Sequence, residues 1–188
     1  MSYVGLFSQN FSQKLILDRP SQTPTASASA KASSQVRLYY EISVSDENVL
    51  TMTGASNKEW TDYIGSKPAA EDRKISLQLP DALLESLAIS TTNEDITLPA
   101  LAVTGQISLS TNGGSIAFET LDVGSALTLS AKNGDISGAV AGSYDDFSIQ
   151  TELKKGESSL PGDKDDGEKA LRVSCNNGDV DIAFANGN

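Results

Sequence analysis

One ten-residue string recurs along the chain and constrains what it can fold into. It stands first as Leu87-Ala-Ile-Ser-Thr-Thr-Asn-Glu-Asp-Ile96, then as Ile107-Ser-Leu-Ser-Thr-Asn-Gly-Gly-Ser-Ile116 and Leu127-Thr-Leu-Ser-Ala-Lys-Asn-Gly-Asp-Ile136. Near the C-terminus it returns as Leu171-Arg-Val-Ser-Cys-Asn-Asn-Gly-Asp-Val180. The first three copies start 20 residues apart, and a further step of 20 lands on Phe147-Ser-Ile149. The step from Phe147 to Leu171 is 24, so a four-residue insertion is expected between Ile149 and Leu160. A fixed period of this kind signals stacked units. Twenty residues are too few for a helix pair, and the apolar residues alternate with polar ones, which is the strand pattern.

These observations predict an all-β chain folded as a single-stranded parallel β-helix, a β-solenoid with coils of about 20 residues and an N-terminal β cap. Equivalent residues then stack at about 4.8 Å, the spacing between paired strands. The expected inward columns are Leu87, Ile107, Leu127, Phe147 and Leu171, with Ile89, Leu109, Leu129, Ile149 and Val173 beside them. Ile96, Ile116, Ile136, Leu160 and Val180 form another. A column of small residues, Thr91, Thr111, Ala131, Thr151 and Cys175, also points inward, which makes Cys175 a packing residue rather than a nucleophile. The corner is Asn133-Gly134-Asp135 or Asn177-Gly178-Asp179, where Gly and Asn accept positive φ. Asn-Gly also starts hairpins, so a hairpin-built β-sandwich is the competing architecture; the constant period favours coils.

Residues 1–35 read as an N-terminal segment whose Tyr3–Phe7 and Leu15–Leu17 are either capping strands or a tail. Its low-complexity tract, 19–35, reads as a linker or exposed loop. Residues 36–188 read as one solenoid domain: cap strands over 36–74, coils over 75–184 and an irregular loop over 152–170. Val36–Val44 alternates as a strand, Val49–Thr53 as a second, and Ile75–Leu79 as a strand closed by Pro80. Gly54–Glu71 is polar and suits a short helical turn. Little chain follows Phe184, so the C-terminal coil is expected to be poorly capped and to offer Ile182 and Phe184 to a second copy.

The Ile-x-Leu-x-Leu-Pro string, followed by Leu-x-Ile-Ser-Thr-x-Asn-x-Asp-Ile and the repeated Asn-Gly-Asp-Ile, resembles a bacterial adhesin family. Its members are β-helical domains of unknown function, and the adhesin label rests on fold-level analogy. The resemblance covers about residues 36–184. It implies a secreted or membrane-associated protein, hence a cell-surface or extracellular location, and it implies no catalytic residues.

Chemistry is limited by what is missing. The chain has no histidine and one cysteine, which removes the usual zinc sites, Ser-His-Asp triads and disulfides. Its net charge of −11 opposes nucleic acid or an anionic membrane as partner. No apolar run is long enough to span a bilayer, so direct membrane insertion is not expected, and the first residues lack signal-peptide character. A β-helical polysaccharide lyase needs clustered Asp for Ca²⁺ and a basic residue to take a proton; Asp95, Asp135 and Asp179 occupy equivalent corner positions with Lys132 near one of them, and turn closure by Asp is the simpler reading. Asp163–Glu168 lacks the spacing of an EF-hand and reads as a solvated loop. Tyr39, Trp60, Tyr63 and Tyr144 are too scattered for a sugar-stacking track. The outward column Ser90, Ser110, Ser130, Gln150 and Ser174 makes a flat polar face able to dock a protein or a glycan.

The functional expectation is a non-enzymatic binding or scaffold module. No catalytic, cofactor-binding or metal-binding residue is assigned, and no cofactor. An intracellular or envelope scaffold assembling through the C-terminal coil is the alternative; a polysaccharide-active enzyme is the third.

Overall fold

The computed structural model describes residues 84–185 throughout. Before them it describes the backbone of six strands: β1 (Ser2–Phe7), β2 (Lys14–Asp18), β3 (Ser29–Lys31), β4 (Tyr40–Val44), β5 (Leu50–Gly54) and β6 (Lys74–Leu79). Tyr39, Trp60, Tyr63 and the helical turn expected in 54–71 lie outside the described residues.

From residue 84 onward the chain is a parallel β-solenoid of about five turns. The first coil holds β7 (Leu84–Thr91) and β8 (Ile96–Leu98); the second, β9 (Leu101–Thr111) and β10 (Ile116–Val123); the third, β11 (Ala126–Asn133) and β12 (Ile136–Ala141). A single 3₁₀ turn (Tyr144–Asp146) leads to β13 (Phe147–Lys155), and β14 (Lys169–Asn177) and β15 (Val180–Ala185) follow. Register is the expected one through three coils: Leu87 pairs with Ile107 and Ile107 with Leu127, all parallel. The core is a set of aliphatic columns. Leu109, Leu127, Leu129, Ile116 and Ile136 are fully buried, and each buried Leu or Ile side chain contributes about 1.5–3 kcal/mol from transfer alone.

The fourth rung departs from expectation. β11 pairs with β14, not with β13: Leu127 faces Leu171 and Leu129 faces Val173. β13 lies beyond β14, so the spatial order on the first sheet is β7, β9, β11, β14, β13. The chain leaves the third coil, steps over one coil height to lay down β13, and later fills the gap with β14 and β15. The register of β13 also moves by two. Ile149 pairs with Leu171 and Thr151 with Val173, whereas the 20-residue count had put Phe147 in the Leu171 column and Ile149 in the Val173 column.

No insertion is then needed before Leu160. Lys155 pairs with Asn177, Ser158 bridges Val180 in parallel, and Ser159 Oγ accepts from the Ile182 amide at 2.8 Å. Lys155-Gly156-Glu157 is therefore the fifth corner of the stack, an Asn-Gly-Asp-type corner in disguise.

Both ends of the stack are covered. On the N-terminal side β2 pairs antiparallel with β7, and β1 antiparallel with β8. β5 and β4 continue outward from β2, and β6 and β3 from β1. β6 thus belongs with the antiparallel strands and not with the coils, and β3 places a strand inside the tract read as a linker. On the other side the chain folds back along β13: Ile149 and Lys164 exchange backbone hydrogen bonds of 2.7 and 2.9 Å, and Asp163 Oδ1 accepts from the Thr151 amide at 2.7 Å. The coil expected to be the open end, β14–β15, is interior. Ile182 is buried, and the Phe184 ring packs 5.7 Å from Phe147 and 5.8 Å from Tyr144. An unpaired strand edge is an invitation to other chains; here Asp163 and Lys164 occupy it at Thr151 and Ile149.

Candidate functional site

Side chains alternate across each strand, so the residues between the core columns face outward from the first sheet. Ser90, Ser110, Ser130 and Ser174 stack on four successive rungs. The fifth member is Glu152, which pairs with Ser174; the expected Gln150 sits one column over, opposite Arg172, for the same two-residue reason. Two positions further along, beside the corner, come Thr92, Asn112, Lys132 and Asn176. Together these two columns line an open trough of about 470 Å³. Its lining is hydroxyl and amide apart from Ala131 and Lys132.

Charge is distributed unevenly over this face. Lys132, Lys154 and Arg172 are exposed on it; against them stand Glu152 and, at the end of β7 away from the corner, Glu85. Arg172 Nε donates to Gln150 Oε1 at 3.3 Å across the two strands. Sequence reading overlooked Arg172, Lys154 and Glu152. The signal that finds them is the 22-residue offset between β13 and β14.

The corner beside the trough is built from three ladders. Inside it, Thr91 Oγ1 donates to the Glu94 carbonyl at 2.8 Å and Gly114 N donates to Thr111 Oγ1 at 3.1 Å. Ala131 and Cys175 continue that buried column. Cys175 Sγ lies 3.4 Å from the Gly134 and Gly178 carbonyls; burial, and secondarily the Asp135 charge, push its thiol pKa up, the opposite of an activated nucleophile.

At the bend, a Cβ on Gly134 or Gly178 would run into the backbone of Gly114 or Gly134 in the adjacent coil. Outside it, each acidic side chain reaches to the next coil. Asp95 Oδ1 accepts from Ser115 N at 2.8 Å, Asp135 Oδ1 from Asp179 N at 2.9 Å, and Asp179 Oδ1 from Glu157 N at 2.9 Å. Asp therefore does close the corner, but it stitches adjacent coils rather than its own turn. Asn177 Nδ2 adds a 2.7 Å bond to Asn133 Oδ1.

The Asp163–Glu168 segment is likewise structural. Lys164 Nζ donates to the Tyr144 and Asp145 carbonyls at 3.3 and 3.2 Å. It stands 3.7 Å from the Asp145 carboxylate, 3.6 Å from that of Asp166 and 4.9 Å from the Tyr144 ring centroid. Among the described residues no three of His, Cys, Asp or Glu converge as metal ligands, and no helix is long and apolar enough to cross a membrane.

A corner repeated on every rung, a serine-lined sheet and antiparallel strands over one end define a capped β-helical domain. The Toastrack DUF4097 family profile matches residues 18–143, and the chain belongs to that family. It is a family of β-helical domains of unknown function; it supports the β-helical part of the resemblance and carries no adhesin designation. No curated protein and no solved structure matches the chain.

Proposed function

We propose that the chain is a non-enzymatic binding module, displayed at a bacterial cell surface, that engages an extended ligand through the polar face of its first sheet. The observation that carries this reading is the trough itself: equivalent hydroxyl and amide side chains repeated over four rungs on a rigid backbone. Such a face makes many weak, equally spaced contacts, and their linkage converts modest individual affinity into avidity. The carboxylates that a lyase would recruit, Asp95, Asp135 and Asp179, are instead engaged with backbone amides, which supports a binding role over turnover.

Two measurements test the proposal. Protease shaving of intact source cells, read with an antibody to the domain, removes the signal while a cytoplasmic marker survives; protection until lysis excludes display. A screen of glycans and matrix proteins against the full chain then yields ligands whose binding is lost on Ser110→Tyr, which fills the trough. Product release from any polysaccharide in the same screen would contradict the non-enzymatic assignment.

A further inference from the structure

The charge of the sheet face around the trough runs against the charge of the molecule. The chain carries a net −11, yet the outward side of the first sheet holds Lys132, Lys154 and Arg172 against Glu152 and Glu85, and Glu85 lies at the end of β7 away from the corner. The nearest other acids stand around the corner, and Asp135 and Asp179 spend a carboxylate oxygen on the neighbouring coil's backbone. Lys132 lines the trough directly. Arg172 stands two residues before Ser174 on the same strand, beside the trough, and its Nε donates to Gln150 Oε1 at 3.3 Å.

We infer that the ligand of this face is a linear acidic glycan, with carboxylates or sulfates on Lys132 and Arg172 and sugar hydroxyls on the serine rungs. The inference rests on the reading of this face as the binding surface. Guanidinium groups pair bidentately with carboxylate-type anions, and the flanking hydroxyls both donate and accept, as sugar hydroxyls require. The other polyanions fit less well. Nucleic acid brings a charge every ~1.7 Å of duplex axis, too dense for three cations on an acidic body, and the trough has no aromatic side chain on which bases stack. A folded protein partner is anchored by buried aromatic or aliphatic side chains, and the trough wall offers no apolar pocket for one.

The test is binding of the full chain to polygalacturonate and to an uncharged dextran of equal length, at low and high salt. Single-stranded DNA of matched charge is run beside them. Lys132→Glu, Arg172→Glu and Ser110→Tyr are compared with the parent, after circular dichroism has shown each to be folded; Lys132 and Arg172 are exposed, so their replacement leaves the core intact. The expected result is binding to polygalacturonate at least tenfold tighter than to dextran or DNA. Binding weakens about tenfold with either charge reversal and falls again at high salt, because exposed charges are screened beyond a Debye length of about 10 Å at 0.1 M.

Equal binding of dextran, unaffected by Lys132→Glu but lost on Ser110→Tyr, overturns the acidic ligand while leaving the binding face in place. DNA binding as tight as polygalacturonate overturns it too. Loss of all binding differences, with Ser110→Tyr silent, overturns both this inference and the reading beneath it.

Discussion

Thr151 occupies the place on the fifth rung that Ile89, Leu109, Leu129 and Val173 hold on the other four. Its hydroxyl oxygen is buried and meets no hydrogen-bond partner. An unsatisfied buried polar atom costs about 1–3 kcal/mol, and valine has the same shape without it. Thr151→Val is therefore expected to stabilise the chain by about 1 kcal/mol, a rise of roughly 2–4 °C in Tm at this size, read by calorimetry; a lower Tm would show that the hydroxyl finds water. Gly178 poses the reverse case. Its φ of 154° and the Gly134 carbonyl facing it leave no room for a Cβ. Gly162 has φ 132° and open space around it. Alanine at 162 should cost only the backbone penalty of about 1–2 kcal/mol, while alanine at 178 should cost more than 3 kcal/mol or prevent folding. Equal urea midpoints for the two variants would refute the close approach of adjacent corners.

Corners work as ladders, and the acidic ladder carries opposing effects. Asp135, Asp179 and Glu157 follow one another at the strand spacing, so their charges repel, while each Asp accepts an amide from its neighbour. Asp135→Asn keeps an oxygen acceptor and removes one charge; stability should hold or rise slightly, most at low salt. Asp135→Ala strands the Asp179 amide and should cost about 0.5–1.5 kcal/mol. Denaturant titrations of both variants at two salt concentrations separate the terms; equal loss in both would mean the charge itself matters. The turn before β13 depends on pH. Asp146 Oδ2 accepts from the Ser143 amide at 2.7 Å, and this bond is the main reason its pKa is lowered from 3.8. Its contribution is complete above the unfolded value and fades as pH falls through the lower folded one. Protection of the Ser143 amide, taken relative to its intrinsic exchange rate, should fall below about pH 4 and hold between pH 5 and 8. Much of this element scale was legible in sequence: the core columns, the corner glycines and the serine face came from spacing alone. The register of β13 did not, because alternation has a period of two, and a strand shifted by two residues shows the same apolar pattern. Lys155-Gly156-Glu157 kept only the glycine of its corner, so nothing in composition corrected the shift.

At the scale of the molecule, the strand order β11, β14, β13 means that the fourth rung is bonded on both edges by segments that precede it in the chain. A specific protease site inserted after Gly162 should cut the folded protein without releasing the C-terminal piece, since two parallel ladders still hold it. The two fragments should co-elute in gel filtration and part only in denaturant. Release on cutting alone would show β14 to be peripheral. An N-terminal β cap, with Tyr3–Phe7 and Leu15–Leu17 as candidate strands, was legible from alternation; the pairing of these strands with β8 and β7 and the return at Lys164 were not, because periodicity does not say which segment meets an edge. The interleaved order also bears on synthesis. A ribosome delivers β13 before β14 exists, at about 5–20 residues per second. During that interval β11 offers β13 its open edge, and the twenty-residue repeat places Phe147 over Leu127 and Ile149 over Leu129. The repeat that makes the fold recognisable thus supplies the nascent chain with a decoy register, which the arriving C-terminal coil has to displace before the native stack can close.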